Sequence, residues 1–312
     1  MILTVTMNPS VDISYKLEQL KIDTVNRCEN YSKTAGGKGL NVTRVIHQMG
    51  HQVTATGLLG GALGRYIEDK LSSEGIAGNF YPISGETRNC IAILHDNGKQ
   101  TEVLEKGPVI SAEEGAGFLK QFSQLLDDAN VVTISGSLPE GISPEVYIDI
   151  IRKTHEAGKK VILDTSGSTL ATVLTSGNKP YAIKPNLEEI QGIVHETIDE
   201  DNVEDIKGIL SNELFADIPL IVISLGAKGA FVKFEDAYYD VVIPKIKVVN
   251  PVGSGDASVG GLAIGLSKEL AIEDILKTSM TLGMLNTMEE KTGHVNPVKF
   301  QDIFDLIKVT KV

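Results

Sequence analysis

The chain has 312 residues, 42% hydrophobic and 22% charged, with a formal net charge of −12. That balance suits a globular protein able to bury a sizeable core, and it excludes a broadly basic nucleic-acid or membrane-surface binder, since no basic stripe appears. Cys28 and Cys90 stand in no metal-ligand spacing and read as reduced thiols. The N-terminal residues lack the basic start and long apolar stretch of a signal peptide, and no segment approaches the ~20 apolar residues of a membrane span, so a cytoplasmic location is expected.

In chain order, residues 2–6 read as a short buried strand, and the polar, alternating stretch from Val11 to Lys33 as paired strands. A helix is predicted over 39–49, with Val42, Val45, Ile46 and Met49 on one face. A strand over 52–59 and a helix through 66–71 follow, then a hairpin of 89–95 and 101–104 turned by Asp96-Asn97-Gly98. From residue 111 a βα rhythm sets in. Helices at 111–126 and 143–157 precede strands at 131–135 and 160–164. A strand at 181–184, helices near 187–194 and 202–213, a strand at 220–224 and a hairpin through 239–243 come next. Two long helices near 254–268 and 272–288 and a shorter one near 299–308 close the chain.

Strands alternating with helices predict a single α/β domain with a doubly wound, mostly parallel sheet. Two β segments, about 11–34 and 80–107, break the rhythm and are read as one small β-sheet lid inserted into it.

Two glycine-opened helices carry the chemistry. Asn250-Pro-Val-Gly253-Ser254-Gly255-Asp256 can turn tightly enough to aim successive backbone N–H groups into one concavity at the positive end of a helix, a nest suited to a phosphoryl group in flight. Asp256, beside that nest, could take the proton of a hydroxyl aimed at the phosphate. On spacing alone the same residues also fit an ordinary helix start capped by Ser254. The second motif is Ala35-Gly36-Gly37-Lys38-Gly39-Leu40-Asn41-Val42. Neither is a P-loop, and Gly57-Leu-Leu-Gly60-Gly61-Ala-Leu-Gly64 has the wrong spacing for a dinucleotide fingerprint. His47 and His51 share a helical face, but without an H-E-x-x-H motif they read as structural or surface residues.

These two motifs resemble the signatures of the ribokinase-like sugar kinases, the PfkB family. Thr6-Met-Asn8-Pro9-Ser-Val-Asp12, Ser135-Gly-Ser137-Leu-Pro139, Lys184-Pro-Asn186-Leu-Glu-Glu189 and Ser224-Leu-Gly226-Ala-Lys-Gly229 extend the resemblance along the whole chain, in order. The forms at residues 8–12 and 36–42, with Arg27 and Arg88, are similar to the branch that phosphorylates hexose phosphates.

The resemblance implies ATP-dependent transfer to a sugar phosphate. Asp256 would be the base, with Gly253, Ser254 and Gly255 as the anion hole. Asp12, Gly37, Lys38 and Asn41 would line the sugar pocket, and Arg27, Arg88 and Ser137 would hold the phosphate already present. Lys184 would reach the ATP phosphates. Asn186 and Glu189 would organise Mg²⁺ through water, Ser224, Gly226 and Gly229 would line the ATP channel, and Asn286 would sit near the adenine. A monovalent cation such as K⁺ near Asn250 and Val252 is implied as well. Exposed lid edges suggest a homodimer formed through the lid. A sugar-phosphate sensor that kept the fold without the chemistry is the alternative of another class, and the intact Asp256 motif speaks against it.

Overall fold

The computed structural model describes residues 1–196, 198–199 and 202–312. In chain order its strands and helices are β1 Ile2–Thr6, β2 Ser10–Lys16, β3 Asn30–Gly36, α1 Lys38–Gln48, β4 Val53–Gly60, α2 Gly61–Ser73, β5 Ala77–Gly78, β6 Tyr81–Ile83, β7 Arg88–His95 and β8 Lys99–Leu104. There follow α3 Ala112–Leu125, β9 Val131–Ser135, α4 Glu145–Glu156, β10 Lys160–Asp164, α5 Gly167–Thr175, β11 Ala182–Ile183, α6 Leu187–Val194 and α7 Val203–Leu210. The last are β12 Leu220–Ser224, β13 Ala230–Phe234, β14 Ala237–Val242, α8 Ser254–Ser267, α9 Ile272–Thr287, α10 Phe300–Phe304 and β15 Lys308–Lys311.

Strands β1, β9, β10 and β12 are runs of β-branched and aliphatic residues, buried on both faces almost throughout. Such runs belong in a parallel sheet covered by helices on both sides. They form the centre of a sheet ordered β15-β14-β13-β12-β11-β10-β9-β1-β4-β5, with β6 paired to β4. Pairing is parallel from β12 through β4, and antiparallel from β12 outward to β15. One face packs on Phe118, Phe122 and Tyr147 from α3 and α4 and Leu174 from α5. The other packs on Val42 and Ile46 of α1, Leu262 of α8 and Leu285 of α9.

A separate four-stranded sheet is ordered β3-β2-β7-β8. Val11 and Ile13 of β2 and Ile67 and Leu71 of α2 join the two sheets in a third apolar cluster. Asp12 lies between those apolar residues in the strand and therefore points to the opposite face.

Three expectations need correction. Tyr81–Ile83 pairs with β4 of the large sheet, so the second β interruption contributes only β7 and β8 to the small one. The helix expected to reach residue 308 stops at Phe304, because Lys308–Lys311 completes the sheet edge beside β14. Helix α5, absent from the sequence reading, forms in a Ser/Thr-rich stretch whose Leu170, Val173 and Leu174 share one buried face.

The strand order reverses around β1, which has β9 on one side and β4 on the other. The crevice at such a switch point, beyond the carboxyl ends of the strands, is where this architecture binds ligands. Thr6, Ser135, Asp164, Ile183 followed by Lys184, and Ser224 stand at those ends.

Candidate functional site

Helix α8 begins where Gly253 adopts φ 85°, a left-handed turn open to glycine at little cost. A Cβ there would also lie 2.5 Å from the Thr292 side chain. The turn leaves the N–H groups of Gly255 and Asp256 without helical acceptors, while that of Ser254 donates to Pro251 O at 3.3 Å. Asp256, in that first turn, is buried. Its Oδ2 accepts a 2.8 Å hydrogen bond from Asn41 Nδ2, which crosses from α1. Burial, with the Asp164 charge adding to it, pushes the Asp256 carboxyl up to about 7 against the pull of Asn41, Lys38 and Lys184.

Asp164, at the end of β10, is the residue the sequence reading missed. Its carboxylate is buried between two ammonium groups, with Lys38 Nζ 3.6 Å from Oδ2 and Lys184 Nζ 4.0 Å from Oδ1. Its attraction raises the Lys38 ammonium above the ordinary range despite burial. Lys184 also lies against the α8 turn, with Nζ 3.2 Å from where a Gly255 Cβ would stand. Asp164, Lys38, Lys184 and Asp256 thus form one alternating charge cluster at the carboxyl edge of the sheet.

Asp12 reaches this crevice from the small sheet. Ser10 Oγ donates to its Oδ1 at 2.6 Å, and a Cβ on Gly36 would fall 2.0 Å from its carboxyl carbon, so only glycine lets the backbone pass there. Burial raises the Asp12 carboxyl, opposed by Ser10 and by the Arg88 and Arg44 charges. Arg88 donates from Nη2 and Nε to Asn8 O at 3.1 and 3.3 Å, and from Nη1 to Glu105 O at 2.9 Å. With Asn8, Ser137, Glu140 and Ser168 it lines a cavity of about 580 Å³. Asn8 Oδ1 is buried there with no partner among the described residues.

Asn186 and Glu189 bind each other. Asn186 Oδ1 accepts from the Glu189 N–H at 2.8 Å, and Glu189 Oε2 from the Asn186 N–H at 2.9 Å, the reciprocal cap that opens α6. Ser224 forms a parallel bridge to Asn186, and Gly226 and Gly229 frame the turn after β12. Asn286 is buried within the protein. Its Nδ2 donates to Val252 O and its Oδ1 accepts from the Gly293 N–H, so it ties α9 to the loop before α8. Arg27 is exposed on the connection between β2 and β3 and is not brought together with the others. No helix among the described residues is long and apolar enough to cross a membrane.

A buried carboxylate at a glycine-turned helix start, flanked by lysines at the ends of parallel strands and by an arginine-lined cavity, defines a small-molecule phosphotransferase of the doubly wound class. The chain belongs to the pfkB family of carbohydrate kinases, whose family model matches residues 5–299. It is 50% identical to a tagatose-6-phosphate kinase of Staphylococcus epidermidis over 312 residues, the whole of both chains. It is also similar to Escherichia coli phosphofructokinase-2, covering 97% of this chain and 98% of that one. The structure with potassium superposes with a TM-score of 0.89 at 26% identity, and that with fructose-6-phosphate with 0.88 at 25%.

Proposed function

We propose that the protein transfers the γ-phosphoryl group of ATP to tagatose 6-phosphate, giving tagatose 1,6-bisphosphate. The observation that carries the reaction type is the buried Asp256 carboxylate, poised near neutrality beside the N–H groups that open α8. The substrate rests on the full-length similarity to a tagatose-6-phosphate kinase, and the neighbour bound to fructose-6-phosphate supports a ketohexose 6-phosphate.

In this reading the 6-phosphate occupies the cavity of Arg88 and Ser137, with the planar guanidinium donating to its oxygens. Asp12 accepts from the sugar hydroxyls, and Gly37 lets the chain come close. The far hydroxyl then faces Asp256, which takes its proton as the oxygen attacks phosphorus. The N–H groups of the Gly253–Gly255 turn meet the charge that develops on the transferring group, and Lys184 meets the ATP phosphates. The small sheet shields the sugar from water.

The cap uses Glu189 Oε2 and leaves Oε1 free of it, a carboxylate oxygen able to accept from water bound to Mg²⁺, while Asn186 has its Oδ1 engaged in the cap and would act by holding Glu189 in place. When bound, Mg²⁺ would neutralise phosphate charge. Potassium is carried over from the neighbour's complex and would lie near Asn250 and Val252. A homodimer through the small sheet is supported by its exposed Tyr31, Val103 and Leu104.

The substrate is tested by kcat/KM for ATP-dependent ADP release with tagatose 6-phosphate, fructose 6-phosphate, fructose 1-phosphate and ribose. Tagatose 6-phosphate should at least match fructose 6-phosphate, with the other two far behind. Preference for fructose 1-phosphate would make the protein a 1-phosphofructokinase with the same machinery. Absence of turnover on all four, with ATP still bound, would overturn the kinase reading.

The phosphate cavity is tested separately. Arg88→Ala should raise the KM for the sugar phosphate about 10–100-fold, the worth of one or two hydrogen bonds to a charged group, and leave the KM for ATP within about twofold. An effect on ATP alone would place the cavity outside the sugar site.

A further inference from the structure

Arg44 is one of the most deeply buried charged residues of the chain, 2% exposed, on α1 one turn beyond Asn41. A buried guanidinium is expensive unless every nitrogen finds an acceptor, and here all three do. Nη2 donates to Ala35 O at 2.5 Å, Nη1 to Asn41 Oδ1 at 3.2 Å and Nε to Glu74 Oε2 at 3.3 Å. Gly293 closes the remaining side so tightly that a Cβ on it would stand 2.8 Å from both Arg44 Nη1 and Asn41 Oδ1.

The consequence falls on Asn41. Its amide oxygen is held by Arg44 and its amide nitrogen by Asp256. Turning the amide over would set N–H against guanidinium N–H and a carbonyl oxygen against a carboxylate, two repulsions in place of two bonds. The cation and the carboxylate therefore bias the amide the same way, with Arg44 holding the oxygen end. With the amide held so, Oδ2 of Asp256 takes the Asn41 N–H and Oδ1 is left for a substrate proton.

We propose that Arg44 is a positioning residue for the reaction, acting through Asn41 to hold the Asp256 carboxylate in one orientation with Oδ1 presented. This rests on the reading of Asp256 as the base. The charged groups around Asp256 are Lys38 on α1, Asp164 on β10 and Lys184 directly after β11. Those around Arg44 are Glu74 after α2, Asp12 on β2 and His294 in the loop after α9. Arg44 reaches Asp256 by way of the amide.

The test compares Arg44→Lys, Asn41→Ala, their double variant and Asp256→Asn. An ammonium cannot span three acceptors set for a planar fork. Arg44→Lys should lower kcat about 10–100-fold, the usual effect of losing an orienting partner, and leave the KM for ATP within about twofold. The acid limb of its pH profile should move up, because the carboxylate loses the Asn41 hydrogen bond that favours its charged form. The double variant should be no worse than Asn41→Ala alone.

Multiplying effects in the double variant, or an acid limb at the wild-type position, would overturn the proposal. Retained turnover in Asp256→Asn would instead sink the base assignment, so the two failures are distinguishable. Where Arg44→Lys does not fold, the side-chain amide of Asn41 in the wild-type protein decides by NMR. Side-chain protons protected from exchange with water, one of them following the Asp256 titration, support the fixed amide, and protons that exchange as freely as those of an exposed asparagine and ignore that titration refute it.

Discussion

Asp256→Asn is expected to lower the rate of phosphoryl transfer by about 10²–10⁴-fold, the usual contribution of a positioned base. The Kd for ATP should stay within about twofold. The same change should stabilise the protein. Burial places the Asp256 carboxyl at about 7 in the fold, above its ordinary value of 3.8, so the native state holds a proton that the unfolded chain has released. Stability is therefore lost as pH rises from the ordinary carboxylate range to about 7, and the loss is complete above that. Asparagine removes the penalty, which is on the order of 4 kcal/mol for a shift of this size in so buried a group. Melting temperatures at pH 8 and pH 5 check the sign, since the gain of the variant should be larger at pH 8. A variant that is inactive and less stable at pH 8 would show that the carboxylate is held by favourable contacts rather than strained by burial.

Asp164→Asn is expected to have the largest effect on stability, a loss of about 3–5 kcal/mol, because it leaves two lysines facing each other without their shared anion. Lys184 bears most of this, as its side chain is as buried as that of Asp164, whereas Lys38 is half exposed and can turn to water. Relief of the repulsion on Asp256 offsets part of the loss. Urea unfolding at pH 8 measures it. Stability within about 0.5 kcal/mol of wild type would mean that the lysines are balanced by Asp256 alone.

Asp256 and Asp164 differ in how far the sequence reveals them. Asp256 is legible because its signal is local: the glycines that turn the chain and the helix they open lie within a few residues of it. The doubly wound sheet is legible for a similar reason, since each central strand is an apolar run bounded by helical periodicity. Asp164 has no such neighbourhood. It meets Lys184 only through the pairing of β10 and β11, and Lys38 only through the packing of α1 on the sheet, and in the sequence it is one of 41 acidic residues. The signal that could have found it is its place as a charged residue ending a buried parallel strand, where such sheets bind ligands.

Arg44 is hidden in the same way, its acceptors lying on β3, α1 and the residue after α2. Asn186 and Glu189 show the opposite difficulty. An N-x-x-E spacing serves a helix cap as well as a metal, and here both side chains make the cap. Asn286, expected near the adenine, is spent on Val252 and Gly293, contacts that arise only once α9 is packed beside α8. The edge strand β15 and the short α5 escaped because each is too brief for its period to stand out.

The central claim is that Asp256 is the group whose ionisation gates phosphoryl transfer. Its most direct test is the pH dependence of single-turnover transfer to tagatose 6-phosphate, followed in wild type and in Asp164→Asn. In wild type the rate should fall as pH drops through about 7, and in Asp164→Asn the acid limb should move to lower pH, because the carboxylate that adds to burial in raising Asp256 is gone. A limb that stays in place in the variant would belong to the substrate phosphate or to another group, and would contradict the assignment.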